Sequence, residues 1–393
     1  MEFYSFHLMP WPYLAPDFVE RHRSAWITLS NAEFDPVRGH ALYARYLDEL
    51  AYADALGFDG VCVNEHHQTA YGLMPAPNII AAILTQRVKR ARIAILGNAL
   101  PLRDHPLRVA EEVAMLDVIS GGRIISGFVR GLGCEYHSFS MEATFSRDRF
   151  VEAHDLIVRA WTEPGPFEFE GEHYRFRYVN IWPRPLQQPH PPIWLPSTGS
   201  IETIEMAVRY GYPFIRVYET AAVVKQLFDE VRAHGEAAGR PVGPEGLGWM
   251  VPIYVAETDA RALAEAEPHV MYLFRELSHR PFEFLLPPGY ASAASMSRAL
   301  DRLDRRQGYA GRSFRQLVEQ GVVVIGSPAT VRDRLAAYQR EMGFGKLVPL
   351  LQFGTLPHEL TMQNLELFAR EVMPSLRPLG QPAASPARAG TTP

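Results

Sequence analysis

The feature that most constrains the fold is a regular alternation of short apolar runs with longer helix-patterned segments along nearly the whole chain. Runs with the character of strands fall at Glu2–Leu8, Gly60–Asn64, Ile93–Asn98, Arg123–Val129, Pro192–Pro196, Pro213–Tyr218, Leu247–Ala256 and Lys346–Phe353. Helical spacing follows at His40–Leu56, Pro77–Lys89, Pro106–Val118, Arg147–Trp161, Ile201–Tyr210, Ala221–Ala238, Asp259–Phe274 and Leu360–Met373. One further helix, Pro328–Met342, opens with Ser327 as its cap and proline at its first position, a strong start signal. Strands alternating with helices make a parallel sheet wrapped by helices. Eight such units fit a closed α/β barrel, a single (β/α)8 TIM barrel with insertions, better than an open doubly wound sheet. The 393 residues are compatible with one barrel domain.

Three stretches break the pattern. Residues 167–176 alternate with period two around Gly171 and read as a hairpin on the barrel rim. Residues 276–320 carry Pro281, Pro287-Pro288-Gly289 and a polar helix near Ser297–Gln307, which suits a substrate lid or an oligomer contact. The last stretch, rich in Pro, Ala, Gly and Thr, reads as disordered, so the domain is expected to span 1–378 and the tail 379–393. A formal charge of −5 argues against a nucleic-acid binder. Two cysteines, Cys62 and Cys134, are too few for a disulfide scaffold, and no apolar run approaches the roughly 20 residues that span a bilayer. The expectation is a soluble cytoplasmic protein without a membrane or nucleic-acid partner.

Chemistry concentrates where strands end. Val61-Cys62-Val63 runs into Asn64-Glu65-His66-His67, placing a carboxamide, a carboxylate and two imidazoles at a strand's carboxyl end, where α/β barrels put their active sites. Side chains alternate there, so one imidazole is expected inward and the other against a loop. An inward histidine can hydrogen-bond a polar ring or shuttle a proton; the competing role is a structural bond to a backbone carbonyl. No metal site is expected, because no His-Glu-x-x-His helix or other ligand spacing occurs. The third strand ends Gly97-Asn98, where a missing Cβ permits close approach of something flat. His105 precedes the next helix as either a site residue or a cap. After the fourth strand, Gly127, Gly131 and Gly133 flank Arg130, a combination suited to an anionic group. After the fifth, Gly199-Ser200-Ile201-Glu202-Thr203 opens a helix whose free N–H groups can bind phosphate, with Ser200 as cap. Trp182, Trp194, Tyr136 and Phe139 are candidates for an apolar mouth, although aromatics at this density are more often core.

Taken in order and spacing, these segments resemble the bacterial luciferase-like, flavin-dependent monooxygenases. The resemblance rests on Gly57-Phe58-Asp59 through Glu65-His66-His67, on His105-Pro106-Leu107-Arg108-Val109-Ala110-Glu111-Glu112 with Leu116-Asp117 and Ser120-Gly121-Gly122-Arg123, on Val129-Arg130-Gly131-Leu132, and on Val372-Met373-Pro374. It implies an oxidoreductase that receives reduced FMN from a separate flavin reductase. With O2 it would oxygenate a small hydrophobic or aromatic substrate by way of a C4a-(hydro)peroxyflavin. It also implies a homodimer. Residue by residue, His66 and His105 match catalytic positions, and Asn64, Glu65, Gly97, Asn98, Arg130, Leu132, Tyr136, Gly199, Ser200 and Thr203 match cofactor-binding ones. Gly97-Asn98 matches the place of a non-proline cis peptide in family members. A carboxylate that some members carry near Gly199 is absent. The alternatives are an F420-dependent hydride-transfer enzyme and a non-catalytic flavin-binding protein. A flavin-free sugar-phosphate isomerase would want paired acid/base residues and a late phosphate loop, and neither is present.

Overall fold

In the computed structural model, which describes residues 1–293, 295–297, 300 and 309–380, the chain closes a parallel barrel. Its strands are β1 (Glu2–Phe6), β2 (Gly60–Val63), β3 (Arg92–Ala99), β4 (Ile124–Val129), β7 (Ile193–Ser197), β8 (Phe214–Arg216), β9 (Leu247–Val255) and β11 (Lys346–Leu350). Neighbours follow chain order, and the ring closes through β8–β9, β9–β11 and β11–β1, all parallel. Each coincides with one of the eight strand runs read from the sequence. Between β4 and β7, the hairpin β5 (Phe167–Glu170) and β6 (Arg175–Val179) pairs antiparallel, as its period-two pattern predicts.

One strand escaped that reading. The three-residue β10 (Val324–Gly326) pairs with Ile253–Val255 at the far end of β9, beyond the Leu247–Trp249 stretch that pairs with β8. It is too short to give a periodic signal. Helix boundaries follow local chemistry. The helix Pro36–Ala55 starts at Asp35, whose carboxylate accepts from the N–H groups of Val37 and Arg38. The helix Pro328–Met342 is capped by Ser327 as expected. The helix Leu107–Ser120 ends on Gly121 in the left-handed conformation. At the amino-terminal end the barrel is plugged: Tyr4 meets Trp194 edge-on at 4.7 Å, and the Lys346 ammonium lies over the same indole. At the other end Phe6, Leu96, Pro196 and Met250 form the floor of an open cavity. Of the polar helix expected near Ser297–Gln307, residues 298, 299 and 301–307 lie outside the described residues, as do residues 381–393 of the expected tail 379–393.

Candidate active site

A cavity of about 510 Å3 occupies the carboxyl end of the barrel, within the size range of small-molecule and cofactor sites. The loop after β2 supplies Asn64, Glu65 and His66 to its wall, the loop after β4 supplies Arg130, Leu132 and Glu135, and the turn after β7 supplies Ser200 and Thr203. The inserted segment covers it. Tyr290 donates its hydroxyl to the Gly131 carbonyl at 2.6 Å, and its ring lies 3.9 Å under the Arg130 guanidinium. Leu285 and Pro287 press so closely on Gly133 that a Cβ there would collide with them. The described part of residues 276–320 thus lies over the cavity, where a lid would lie.

At one end stands an imidazole in a fixed setting. His66 Nδ1 lies 2.9 Å from Glu135 Oε1, while Glu135 Oε2 accepts the Leu132 N–H at 2.7 Å. Glu135 is 1% exposed, so both bonds form away from bulk water, where a carboxylate holds its partners tightly. Trp26 and Tyr71 meet the ring edge-on at 5.3 and 5.1 Å. His67 turns the other way: its Nε2 bonds Glu65 at 2.8 Å and its ring packs against Phe139. The alternation expected of the pair is met. Glu65 is more occupied than a ligand contact requires, because its second oxygen accepts from the Ala99 N–H and Arg103. It ties the end of β2 to the end of β3.

At the other end two guanidinium groups face a helix start. Arg130 donates to the Ser146 hydroxyl and to the Tyr290 carbonyl, and Arg147 lies 3.2 Å from Glu202. Burial and the neighbouring Arg130 lower the Arg147 pKa, as expected for two like charges side by side. Ser200 caps the helix Ile201–Tyr210: its hydroxyl accepts the Thr203 N–H and bonds the Thr203 hydroxyl at 2.8 Å. Glu202, one turn in, takes hydroxyl bonds from Ser292 (2.9 Å) and Ser295 (3.1 Å) of the lid. Burial raises its pKa, but these bonds, its own backbone N–H and Arg147 outweigh that and hold the carboxyl below its usual range.

Several sequence expectations need correction in position. His105 is exposed, outside the cavity, with its ring 6.2 Å from Phe176 of the hairpin; the 3-10 turn Leu100–Leu102 carries the chain past the rim before it. Its side chain caps nothing, since Pro106 occupies the cap position, although its carbonyl accepts the Arg108 N–H at 3.0 Å. Asn98 is fully buried and does not line the cavity; both polar atoms of its side chain lack a hydrogen-bond partner. The non-proline cis peptide is Leu96–Gly97, one residue before the expected pair. Gly97 does line the cavity, as expected, and its missing Cβ also makes room for a neighbouring strand: a Cβ would stand 2.5 Å from the Gly127 carbonyl oxygen. Tyr136 sits behind the wall, donating to the Arg130 carbonyl, and Gly199 (φ +92°) shapes the turn without lining the cavity. None of Trp182, Trp194, Tyr136 and Phe139 lines it; Trp182 is 84% exposed and Trp194 is at the plugged end. The aromatic lining comes from loops and lid instead, Trp26, Tyr71, Phe274 and Tyr290 among it.

Residues that sequence reasoning missed include Glu135, Arg147 and Trp26. Glu135 carried only a faint signal, an acidic residue three positions into a short helix that reaches back to the Leu132 N–H, because Leu132 at the cap offers no side-chain acceptor to complete a capping box. Arg147 in the first turn of a helix, and Trp26 in an irregular loop, carried none.

A closed eight-stranded parallel barrel, with its polar groups converging on one carboxyl-end cavity, defines a TIM-barrel enzyme site. A model of the luciferase-like monooxygenases matches residues 23–344, and the chain belongs to that family; it is an oxidoreductase of the monooxygenase type. It is 32% identical over 173 residues to the oxygenase component of the flavin-dependent trigonelline monooxygenase of Acinetobacter baylyi, 43% of this chain and 47% of that one. To limonene 1,2-monooxygenase of Rhodococcus erythropolis it is 25% identical over 335 residues, 84% of this chain and 80% of the other. The solved structure of monooxygenase RslO1 from Streptomyces bottropensis superimposes with a TM-score of 0.72 at 26% identity, covering 95% of this chain and 99% of that one.

Proposed function

We propose that the chain is the oxygenase component of a two-component system, which uses reduced FMN supplied by a separate reductase, and O2, to oxygenate a small hydrophobic or aromatic molecule. The observation that carries this reading is the two-ended cavity. One end presents an imidazole aligned by a buried carboxylate, and the other presents Arg130 and Arg147 beside the Ser200-capped helix start. Flavin mononucleotide has the same division, a planar redox ring and a phosphate tail. Arg130, Arg147, Ser200 and Thr203 would hold the phosphate by charge-assisted bonds and the positive end of the helix dipole. Asn64 presents a buried Oδ1 without a hydrogen-bond partner to the cavity, an acceptor suited to a ring N–H. The relative named as the oxygenase component of a flavin-dependent monooxygenase supports a separate reductase.

When bound, reduced FMN supplies the electrons with which O2 is activated. The chain's own residues bind, orient and exclude water. Glu135 faces Nδ1 of His66, so Nε2 is the nitrogen left to accept, donate or move a proton on the cavity side. Trp26, Tyr71 and the lid keep that nitrogen away from bulk water.

We also place the protein in the cytoplasm as a homodimer. Cys62 and Cys134 are both free and buried, and Ile79, Met115, Val118 and Ile119 stand 63%, 47%, 44% and 51% exposed on two adjoining helices, an apolar face that a second copy would cover. Light scattering on the wild type and Ile119→Glu separates dimer from monomer.

Anaerobic titration with FMN, reduced FMN and F420, followed by O2-uptake measurements, tests the cofactor. Tight binding of reduced FMN and O2 uptake that depends on the protein are expected. Preferential binding of F420, or O2 uptake no faster than that of free reduced FMN, overturns the reading.

A further inference from the structure

We infer that the lid end of the cavity is an anion subsite for the substrate, so that the molecule bound there is an organic acid, a carboxylate on a flat apolar body. This rests on the function proposed above and narrows its substrate class. Arg275 and Arg280 both line the cavity from the segment that follows β9. The Arg280 guanidinium lies 4.8 Å from the centre of the Trp26 indole. That same indole meets His66 edge-on at 5.3 Å. A guanidinium and the candidate catalytic imidazole therefore flank one aromatic wall.

The cation is poorly satisfied by the protein. Arg280 Nη1 reaches the Ser278 carbonyl only at 3.4 Å, and its Nε is buried with no hydrogen-bond partner. Among the described residues neither Arg275 nor Arg280 has a carboxylate within ion-pair distance; the ion pairs of the cavity wall are Arg147 with Glu202, His66 with Glu135, and Glu65 with Arg103 and His67. Glu276, the nearest acid in sequence, lies in the field of Arg275 but does not line the cavity. A half-buried guanidinium left in this state costs free energy, which a carboxylate in the cavity recovers through a charge-assisted, fork-shaped pair.

This subsite is separate from the phosphate end. The contacts Leu132–Glu135, Glu135–His66 and His66–Trp26 stand between Arg130 and Arg280. An acid whose carboxylate sits on Arg280 spans the cavity toward His66, with the buried Trp26 indole backing both groups from behind. A neutral molecule of the same shape forfeits the ion pair and leaves the guanidinium unpaired.

The test uses matched probes, benzoate against benzamide and cyclohexanecarboxylate against its amide, titrated into the FMN-supplemented full-length protein by calorimetry. Each acid is expected to bind roughly tenfold or more tighter than its amide, the effect of one charge-assisted bond. The preference should fall below about twofold in Arg280→Met and be largely retained in Arg280→Lys. Arg275→Met, at an exposed position that tolerates change, serves as a second variant and should lower the preference severalfold. Equal binding of acid and amide, binding of neither, or a preference that survives Arg280→Met each overturns the inference. FMN affinity measured on the same samples keeps the two proposals apart: FMN bound without acid preference sinks only the subsite, whereas failure of FMN to bind sinks the function on which it rests.

Discussion

The carboxylate of Glu135 joins two parts of the site that the sequence holds far apart: it bonds the His66 imidazole at 2.9 Å and the Leu132 N–H at 2.7 Å. Its burial makes both bonds strong, and together they lock the orientation of the ring to the position of the Arg130–Leu132 loop. His66 is thus aimed by a residue 69 positions away.

Replacing that carboxylate should separate aim from binding. Glu135→Gln is expected to lower oxygenation by roughly 10- to 100-fold, since a positioned acid/base contributes about 100-fold or more. Affinity for reduced FMN should change little. Stopped-flow binding and single-turnover oxygenation on one preparation measure the two; a parallel fall in both would assign Glu135 a merely structural role.

Arg147 bears on the anionic tail. Arg147→Met removes a guanidinium from the helix start, and a bond to a charged group is worth about 1.5–3 kcal/mol, so reduced-FMN affinity should fall by roughly 10- to 100-fold. Riboflavin, which lacks the phosphate, should bind wild type and variant alike. Fluorescence titration with the two flavins checks this.

Glu202 holds the lid through Ser292 and Ser295. Its carboxyl titrates below the ordinary 4.5. A depressed carboxylate pKa stabilises the folded state above the ordinary value, and that contribution is lost as pH falls through the folded one. Limited proteolysis within the lid should therefore accelerate at pH below about 4.5 in the wild type, and at neutral pH in Glu202→Gln. A variant no more sensitive than wild type at neutral pH would remove the latch.

Gly97→Ala probes the contact between β3 and β4. The added methyl meets the Gly127 carbonyl oxygen, a backbone atom that cannot rotate away. A loss of about 1–3 kcal/mol is expected, as for overpacking elsewhere. Chemical denaturation measures it, and an unchanged midpoint would show that the strands part without cost.

His7, at the end of β1, gives the protein a pH-dependent stability outside the cavity. It is 3% exposed, donates from Nε2 to Glu49 and accepts the Met9 N–H at Nδ1. Burial lowers its pKa below 6.5, although Glu49 pulls the other way. The unfolded chain then binds more protons than the folded one below that value, so stability is complete above about pH 6.5 and declines as pH falls through it. Melting temperatures should drop on acidification from there, with a shallower slope in His7→Gln.

The barrel was legible in the sequence because buried parallel strands advertise themselves as apolar runs and their helices as spaced ones. All eight closing strands coincide with the runs read from the sequence, six of them lying wholly inside, while β3 runs one residue past each end and β7 one residue past its last. The polar strand end at Asn64–His66 and the cap at Ser200 were legible for the same reason, since each is local. What escaped depends on distance. Nothing near His66 in the chain announces Glu135, and nothing near Trp26 announces that it stands between His66 and Arg280. His105 misled because a histidine before a helix looks the same whether the chain has cleared the rim or not. Gly97 was placed at the cavity as expected, but a missing Cβ does not announce that the neighbouring strand also needs the room.

The decisive measurement is a crystal structure of the protein with FMN. The ring is expected beside His66 and Asn64, and the phosphate on Arg130, Arg147, Ser200 and Thr203. A flavin bound elsewhere, or a phosphate turned to the His66 end, would contradict this placement.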